Sequence, residues 1–375
     1  MLAAPFALLA QQAKLPRPRI LERGTRFERN PASGEMRVRT ADTPASEDTL
    51  GHGPVIRARV GLVEIGCTVT APDGTRVRGL TPDNFRIFED GVEQRIASFD
   101  AATTPASIAV VMDASPSIYR ELGQMREAAR SFSGSLRPQD EVAVLAFSEQ
   151  THLLLPFSRD RALLAAALAS PELARVANSS QSFIYQAVYL TARQLFRDRA
   201  GRKAMVLLTD GQDSGLGLTW NPASMRVQPG AVNSLAFDDV TRELASAGIE
   251  LYVISTENRP RAMTDVWLAA QQRQPLVTPE ARSLGMPHYT LYLAELMRQS
   301  GGGLYFLREI ASLAEVYHRI ALAIGAEYTL GYYPAGGISL PGWRAVSVEL
   351  RLGTDLPAGA RLSHRAAYYV PASPE

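Results

Sequence analysis

Cysteine and lysine are nearly absent from this chain. A single cysteine, Cys67, excludes an internal disulfide and every multi-cysteine zinc or redox motif. It stands in an apolar alternating run and reads as a buried structural thiol. Lys14 and Lys203 are the only lysines, so the basic charge is almost all arginine, scattered through every segment rather than gathered into a patch. With a net charge of +1 there is neither a basic footprint for nucleic acid nor an acidic tail. No run approaches the roughly 18 to 20 apolar residues that a membrane-spanning helix needs. Five dispersed histidines (His52, His152, His288, His318 and His364) show no metal-ligand spacing to one another. A G-x-S-x-G elbow, an H-E-x-x-H helix and a P-loop are all missing, which leaves enzyme readings without a positive motif.

What is there begins with 375 residues of ordinary globular composition, enough for one or two cores. Residues 1–12, MLAAPFALLAQQ, resemble the back half of a secretory signal peptide whose start lies upstream. The expectation is export, to the periplasm or beyond, with a plain apolar start as the alternative. Residues 13–54, rich in Pro, Arg, Ser, Thr and Gly, are expected to form a disordered linker. Over 55–104 a small β-module is expected. Val60, Leu62, Ile65 and Val69 alternate up to the turn Pro72-Asp73-Gly74, and runs at 84–89 and 94–99 flank the turn Asp90-Gly91.

The pattern then changes. Residues 107–112 are a fully apolar run, as in a strand buried on both faces. Helical spacing follows over 119–136, a strand over 141–147, and a pairing partner for it over 153–157. Apolar strands at 204–209, 249–255 and 303–306 alternate with helical stretches at 184–197, 238–247, 289–299 and 313–324. This predicts an α/β fold with a doubly wound, mainly parallel sheet. Residues 258–287 read as an irregular insertion. Three further strand-like runs, within 328–372, are expected to pack with the N-terminal module as one small flanking β-unit.

The densest local signal is Asp113-Ala114-Ser115-Pro116-Ser117, directly after the first buried strand. Ligands in open α/β sheets bind at the carboxyl ends of strands. One carboxylate and two hydroxyls at alternating positions present three oxygens, the donors that a hard cation such as Mg²⁺ takes. Asp210, in Thr209-Asp210-Gly211, ends another buried strand, and Ser179-Ser180-Gln181-Ser182 brings hydroxyls from a separate loop. A plainer alternative makes Asp113 and Ser115 caps of the following helix, but it leaves Ser182 and Asp210 unexplained.

The order D-x-S-x-S, then a hydroxyl before a helix, then T-D-G resembles the metal-ion-dependent adhesion site of von Willebrand factor A-type domains. That resemblance implies such a domain over 105–327, with Asp113, Ser115 and Ser117 as first-loop ligands, Ser182 where the family usually has threonine, and Asp210 in the third loop. It implies one divalent ion, Mg²⁺, with Mn²⁺ or Ca²⁺ as alternatives. Leu80-Thr81-Pro82-Asp83-Asn84-Phe85, Glu89-Asp90-Gly91 and Thr329-Leu330-Gly331-Tyr332-Tyr333-Pro334 are similar to the bacterial VWFA-related (acidobacterial type) group. The function implied is metal-dependent binding of a protein ligand through its Asp or Glu carboxylate, in adhesion or assembly at the cell envelope. Two alternatives stay open: a structural scaffold in an envelope complex, whose ion is absent or only stabilises it, and a metal-dependent hydrolase.

Overall fold

A computed structural model describes residues 15–23, 25–29, 36–39, 62–72, 75, 77–101, 105–114, 132, 134–176, 181–199, 201–215, 218–221, 226–229, 235–264, 267–268, 276–307, 313–325, 328–334, 342–351, 356–364 and 367–370. Residues 1–12, where a signal remnant was expected, lie outside these.

The fold is α/β. Its main sheet has seven strands in the order Arg19–Ile20, Thr151–Ser158, Glu141–Phe147, Ala106–Asp113, Arg202–Thr209, Ile249–Ser255 and Gly302–Phe306. The last five are parallel, whereas Thr151–Ser158 runs antiparallel beside Glu141–Phe147. All eight residues of Ala106–Asp113 are buried. Their side chains alternate between two cores: Ile108, Val110 and Met112 face one, Ala109 and Val111 the other. The apolar run follows from that geometry, because successive side chains point to opposite faces and both faces are covered.

Helices cover both faces. Ile184–Leu195 and Phe237–Ala247 lie on one, and Arg161–Leu168 and Leu313–Gly325 on the other. Asp160 caps the helix it precedes, its carboxylate accepting from Ala162 N at 2.8 Å and Leu163 N at 3.2 Å. Phe237–Ala247 ends at Gly248, whose left-handed conformation (φ 65°) lets its N–H reach Ala245 and Leu244 carbonyls. Of the helix expected over 119–136, only residues 132 and 134–136 are described, and helical backbone runs to residue 135.

A second unit is built from strands at both ends of the described chain. Val63–Thr70 and Ile96–Ala101 flank Tyr328–Tyr332, and Arg361–His364 joins the outer edge of Val63–Thr70. Facing this sheet, Gly342–Leu350 lies between Phe85–Glu89 and Ala367–Val370. Ile65, Cys67, Ile87, Leu330 and Val348 fill the space between the sheets, so this is a sandwich with its own core. Cys67 is fully buried there. Asp90 (φ 47°) and Gly91 (φ 84°) make the two-residue hairpin loop after Phe85–Glu89. Where sandwich and main sheet meet is a cleft of about 200 Å³, lined in part by Glu64, Thr68, Glu250, Tyr305 and His364. It lies at the amino ends of the parallel strands, away from Asp113.

The disordered linker expected over 13–54 requires correction at its described residues, 15–23, 25–29 and 36–39. Arg19–Ile20 pairs with Leu153 and His152 on the edge of the main sheet. Leu21 and Met36 are buried in the core beneath it. Glu22 accepts from Thr151 N with both oxygens at 2.9 Å, and Phe27 lies 6.3 Å from Tyr189 between ring centroids. This arm explains why Ile184 to Ala192 are buried without a break. An all-round apolar helix needs cover on its outer face, and part of that cover is the arm. The 258–287 insertion is also less irregular than expected. It contains the helix Pro279–Ser283, and Met263, Leu276, Ala281 and Met286 build a small core against Leu291 and Phe306.

Candidate functional site

Three chain segments converge at the carboxyl edge of the parallel strands. Ala106–Asp113 and Arg202–Thr209 are neighbours, with Met112 in register with Leu208, so Asp113 and Thr209 are next to each other at the strand ends. The Thr209 hydroxyl donates to Asp113 Oδ2 at 2.8 Å, and the Ser182 hydroxyl donates to the same oxygen at 3.0 Å. Asp113 is 1 % exposed and Thr209 is fully buried. A carboxylate so placed is stabilised only while such donors, or a cation, face it.

Each partner is held in turn. Ser182 is clasped by the loop beyond Asp210: its carbonyl accepts from Ser214 N at 2.7 Å, and its N–H donates to Ser214 Oγ at 3.3 Å. Phe183 N donates to the Ser148 carbonyl at 2.9 Å, tying the same loop to the end of Glu141–Phe147. Ala114 N reaches the Phe147 carbonyl at 2.7 Å. Asp210, buried, turns its Oδ1 to Gln212 N at 2.9 Å, closing an Asx turn. Gly211 makes that turn possible. Its φ is +87°, and a methyl group there would stand 2.8 Å from Leu293 and 3.2 Å from the Tyr289 ring.

The structure thus gathers Asp113, Ser182 and Asp210 around one strand edge. Ser115 and Ser117 lie outside the described residues. Sequence reasoning missed Thr209 and Asp213 as participants. A threonine ending a strand is an ordinary β-former, and Asp213 shows its role only in space, accepting from Tyr185 N at the start of Ile184–Leu195 at 3.3 Å. Burial raises the Tyr289 phenol above its ordinary value, with the charges of Glu257 and Asp210 adding to the effect.

These donors are all oxygens, the carboxylates of Asp113 and Asp210 with neutral hydroxyls, and that chemistry fits a hard divalent cation. Among the described residues no three His, Cys, Asp or Glu side chains cluster as a metal site, so hydroxyls would have to complete any shell. No helix among them is long and apolar enough to cross a membrane.

The match to a family model agrees with the fold. Residues 107–270 match the von Willebrand factor type A domain family, and the chain carries a domain of that kind. A search of curated proteins finds no match. Among solved structures, a von Willebrand factor type A protein from Catenulispora acidiphila is similar at 12 % identity and a TM-score of 0.38, covering 82 % of this chain and 72 % of that one. An aerotolerance-related membrane protein from Bacteroides fragilis matches at 14 % identity and a TM-score of 0.37, covering 58 % and 98 %. The manganese-loaded TRAP protein of Plasmodium vivax matches at 11 % identity and a TM-score of 0.38, covering 75 % and 97 %.

Proposed function

We propose that the von Willebrand factor type A domain of this chain is a divalent-metal-dependent module for binding protein. The observation that carries this reading is the convergence of the Ser182 and Thr209 hydroxyls on one buried oxygen of Asp113. Asp113, Ser182 and Asp210, with Ser115 and Ser117 from the first loop, would hold the ion, Mg²⁺ by the hardness of the donors. Bound there, the ion would supply a coordination position that neutral hydroxyls and two carboxylates leave unfilled, and a partner's Asp or Glu carboxylate can meet it. The chain's own residues do the rest. Thr209 and Ser182 orient Asp113, Ser214 holds Ser182, and Gly211 lets Asp210 turn in.

We infer a non-enzymatic role, because the ion would engage the carboxylates of Asp113 and Asp210 and its other ligands are neutral hydroxyls. We assign 105–327 to the metal-dependent domain, with 55–104 and 328–372 forming the sandwich that carries it. Placement in the bacterial envelope or outside it rests on the apolar residues 1–12 and on the resemblance of the flanking motifs.

Calorimetric titration of Mg²⁺ and Mn²⁺ into chelator-treated protein tests the reading. Uptake of one ion, lost in a folded Asp113→Ala variant, is the expected result. Absence of uptake by the folded wild type would sink it. That outcome favours a second reading, which the same hydrogen bonds support: Asp113, Ser182 and Thr209 act as a latch between strand ends, and the domain is a scaffold.

A further inference from the structure

Beside the candidate metal site runs a rim of aromatic rings that metal binding alone does not use. Phe183 closes one side of the loop after Asp210, since a methyl group at Gly215 would meet its ring at 3.2 Å. Tyr289 closes the other side, against Gly211. The rings continue from Tyr292 to Phe237, 4.8 Å between centroids, and from Phe237 to Tyr185, 5.5 Å. Tyr185 is buried, but Phe183, Phe237, Tyr289 and Tyr292 are each partly open to solvent. They come from three segments: the loop before Ile184–Leu195 and the first turns of Phe237–Ala247 and His288–Ser300.

Negative charge is interleaved with these rings. Asp213 sits at the amino end of the helix that begins beside Phe183. Asp238 is exposed and follows Phe237 directly. Glu257 lies just past the strand end at Ser255, which is in register with Thr209. The phenols register these neighbours. After burial, Glu257 raises Tyr289, whereas on Tyr292 the lowering by Arg282 comes first and the raising by Asp238 second. A second guanidinium, Arg242, donates to the Asp238 carbonyl at 3.0 Å but is paired with the Asp239 carboxylate at 2.6 Å. With Asp210 committed to an ion, Asp213, Asp238 and Glu257 thus still outnumber Arg282 among the described residues of the rim.

Partly exposed aromatic rings are among the residues that carry binding energy at protein interfaces. Their faces attract cations, and nearby carboxylates strengthen that attraction. We propose that this rim is a second contact surface, which takes a Lys or Arg side chain that the protein partner presents close to its metal-directed carboxylate. The inference rests on the metal-site reading above and adds the partner's charge pattern to it. A purely apolar side chain would use the rings but gain nothing from Asp213, Asp238 and Glu257, and a second acidic one would be repelled.

The test uses fluorescent Gly-Ser peptides that carry one Asp and, nearby, a Lys, a Gln or a Glu. Anisotropy in Mg²⁺ is measured on wild type, Phe237→Ala and Glu257→Gln, and Mn²⁺ titration of the same preparations reports the metal site separately. Roughly fivefold tighter binding of the Lys peptide than of the Gln peptide is expected, with the Glu peptide weakest. Both variants should lose that ranking while still taking up Mn²⁺. Equal binding of the three peptides, or no binding, by wild type that takes up Mn²⁺ would overturn the rim and leave the metal site standing. If Mn²⁺ is not taken up, the metal reading fails. The rim then survives only if the Lys peptide still binds in a manner sensitive to Phe237→Ala.

Discussion

The Tyr332 hydroxyl donates to Oε2 of Glu89 at 2.7 Å inside the sandwich, and Tyr368 donates to the same oxygen at 2.7 Å. Glu89 comes from Phe85–Glu89, near the start of the described chain, and both tyrosines come from its final strands. A single carboxylate oxygen therefore joins both ends of the sequence across the two sheets. Glu89→Ala strands two buried hydroxyls and should cost on the order of 2–4 kcal/mol. Glu89→Gln keeps an acceptor and should cost less. Urea unfolding of both variants checks this, and equal losses would show that the hydrogen bonds are not the cause.

The same cluster sets an alkaline limit. Burial raises Tyr332 and Tyr368 well above the ordinary phenol value of 10.0, and the charge of Glu89 and its hydrogen bonds add to that. A group whose pKa is higher in the folded state contributes stability that is complete below its unfolded value and is lost as pH rises beyond it. Stability should hold to about pH 10 and then fall, with tyrosinate absorbance and loss of sandwich structure rising together. In Tyr332→Phe the fall should be shallower. Titration of the phenols without unfolding would refute the argument.

On the acid side the arm is the sensitive part. Burial lowers the pKa of His152, partly offset by Glu22 and Glu172, and His152 pairs with Ile20 of the arm. A histidine with a lowered folded pKa gives stability that is present above its ordinary value of 6.5 and lost as pH falls through the folded one. Protection of the amides at residues 19–22 against hydrogen exchange, relative to their intrinsic rates, should fall between about pH 6.5 and 5, and His152→Gln should flatten that dependence. Separately, Leu21→Ala should cost about 2–3 kcal/mol through the cavity it leaves. It should also promote association through the uncovered edge of Thr151–Ser158, read by light scattering.

At the candidate site two substitutions separate orientation from occupancy. Thr209→Val removes one donor to Asp113 and the acceptor that Gly211 N uses at 3.0 Å, and should cost about 1–3 kcal/mol. Gly211→Ala forces a side chain into a left-handed turn against Leu293. It should cost about 1–2 kcal/mol and weaken Mn²⁺ uptake by displacing Asp210. Normal uptake in Gly211→Ala would mean that Asp210 does not need that turn.

What could be read from residues alone follows from the range of each interaction. The parallel sheet was legible because Ile108, Val110 and Met112 bury one face while Ala109 and Val111 bury the other, leaving an unbroken apolar run. The Asp90-Gly91 hairpin was legible because the loop needs two residues at positive φ. The arm was not. Arg19–Ile20 is too short to show a period, and its fixing bonds, from Glu22 to Thr151 and from Gln194 to the Leu21 carbonyl, span more than a hundred residues. Its Arg- and Pro-rich composition therefore looked like a linker. At the site, motif order pointed to Asp113 and Ser182, whose hydroxyl and carboxylate meet in space. Thr209 was visible only as a member of the T-D-G run, and the bond from its hydroxyl to Asp113 stayed hidden. The aromatic rim left no trace, because its rings are drawn together from segments far apart in the chain.

Tyr328–Tyr332 lies between Val63–Thr70 and Ile96–Ala101, hydrogen-bonded to both. This has a consequence for biosynthesis. The two early strands have no common partner until residues 102–327 have been translated, on the order of ten to fifty seconds at about 5–20 residues per second. During that interval both edges of Val63–Thr70, one of Ile96–Ala101 and one of Phe85–Glu89 lack their partners, and half of an apolar core is exposed, while the intervening domain can already close on itself. The nascent sandwich is thus the species most in need of a chaperone. A ribosome stalled before residue 328 should present a folded central domain attached to an unfolded amino-terminal half-sandwich.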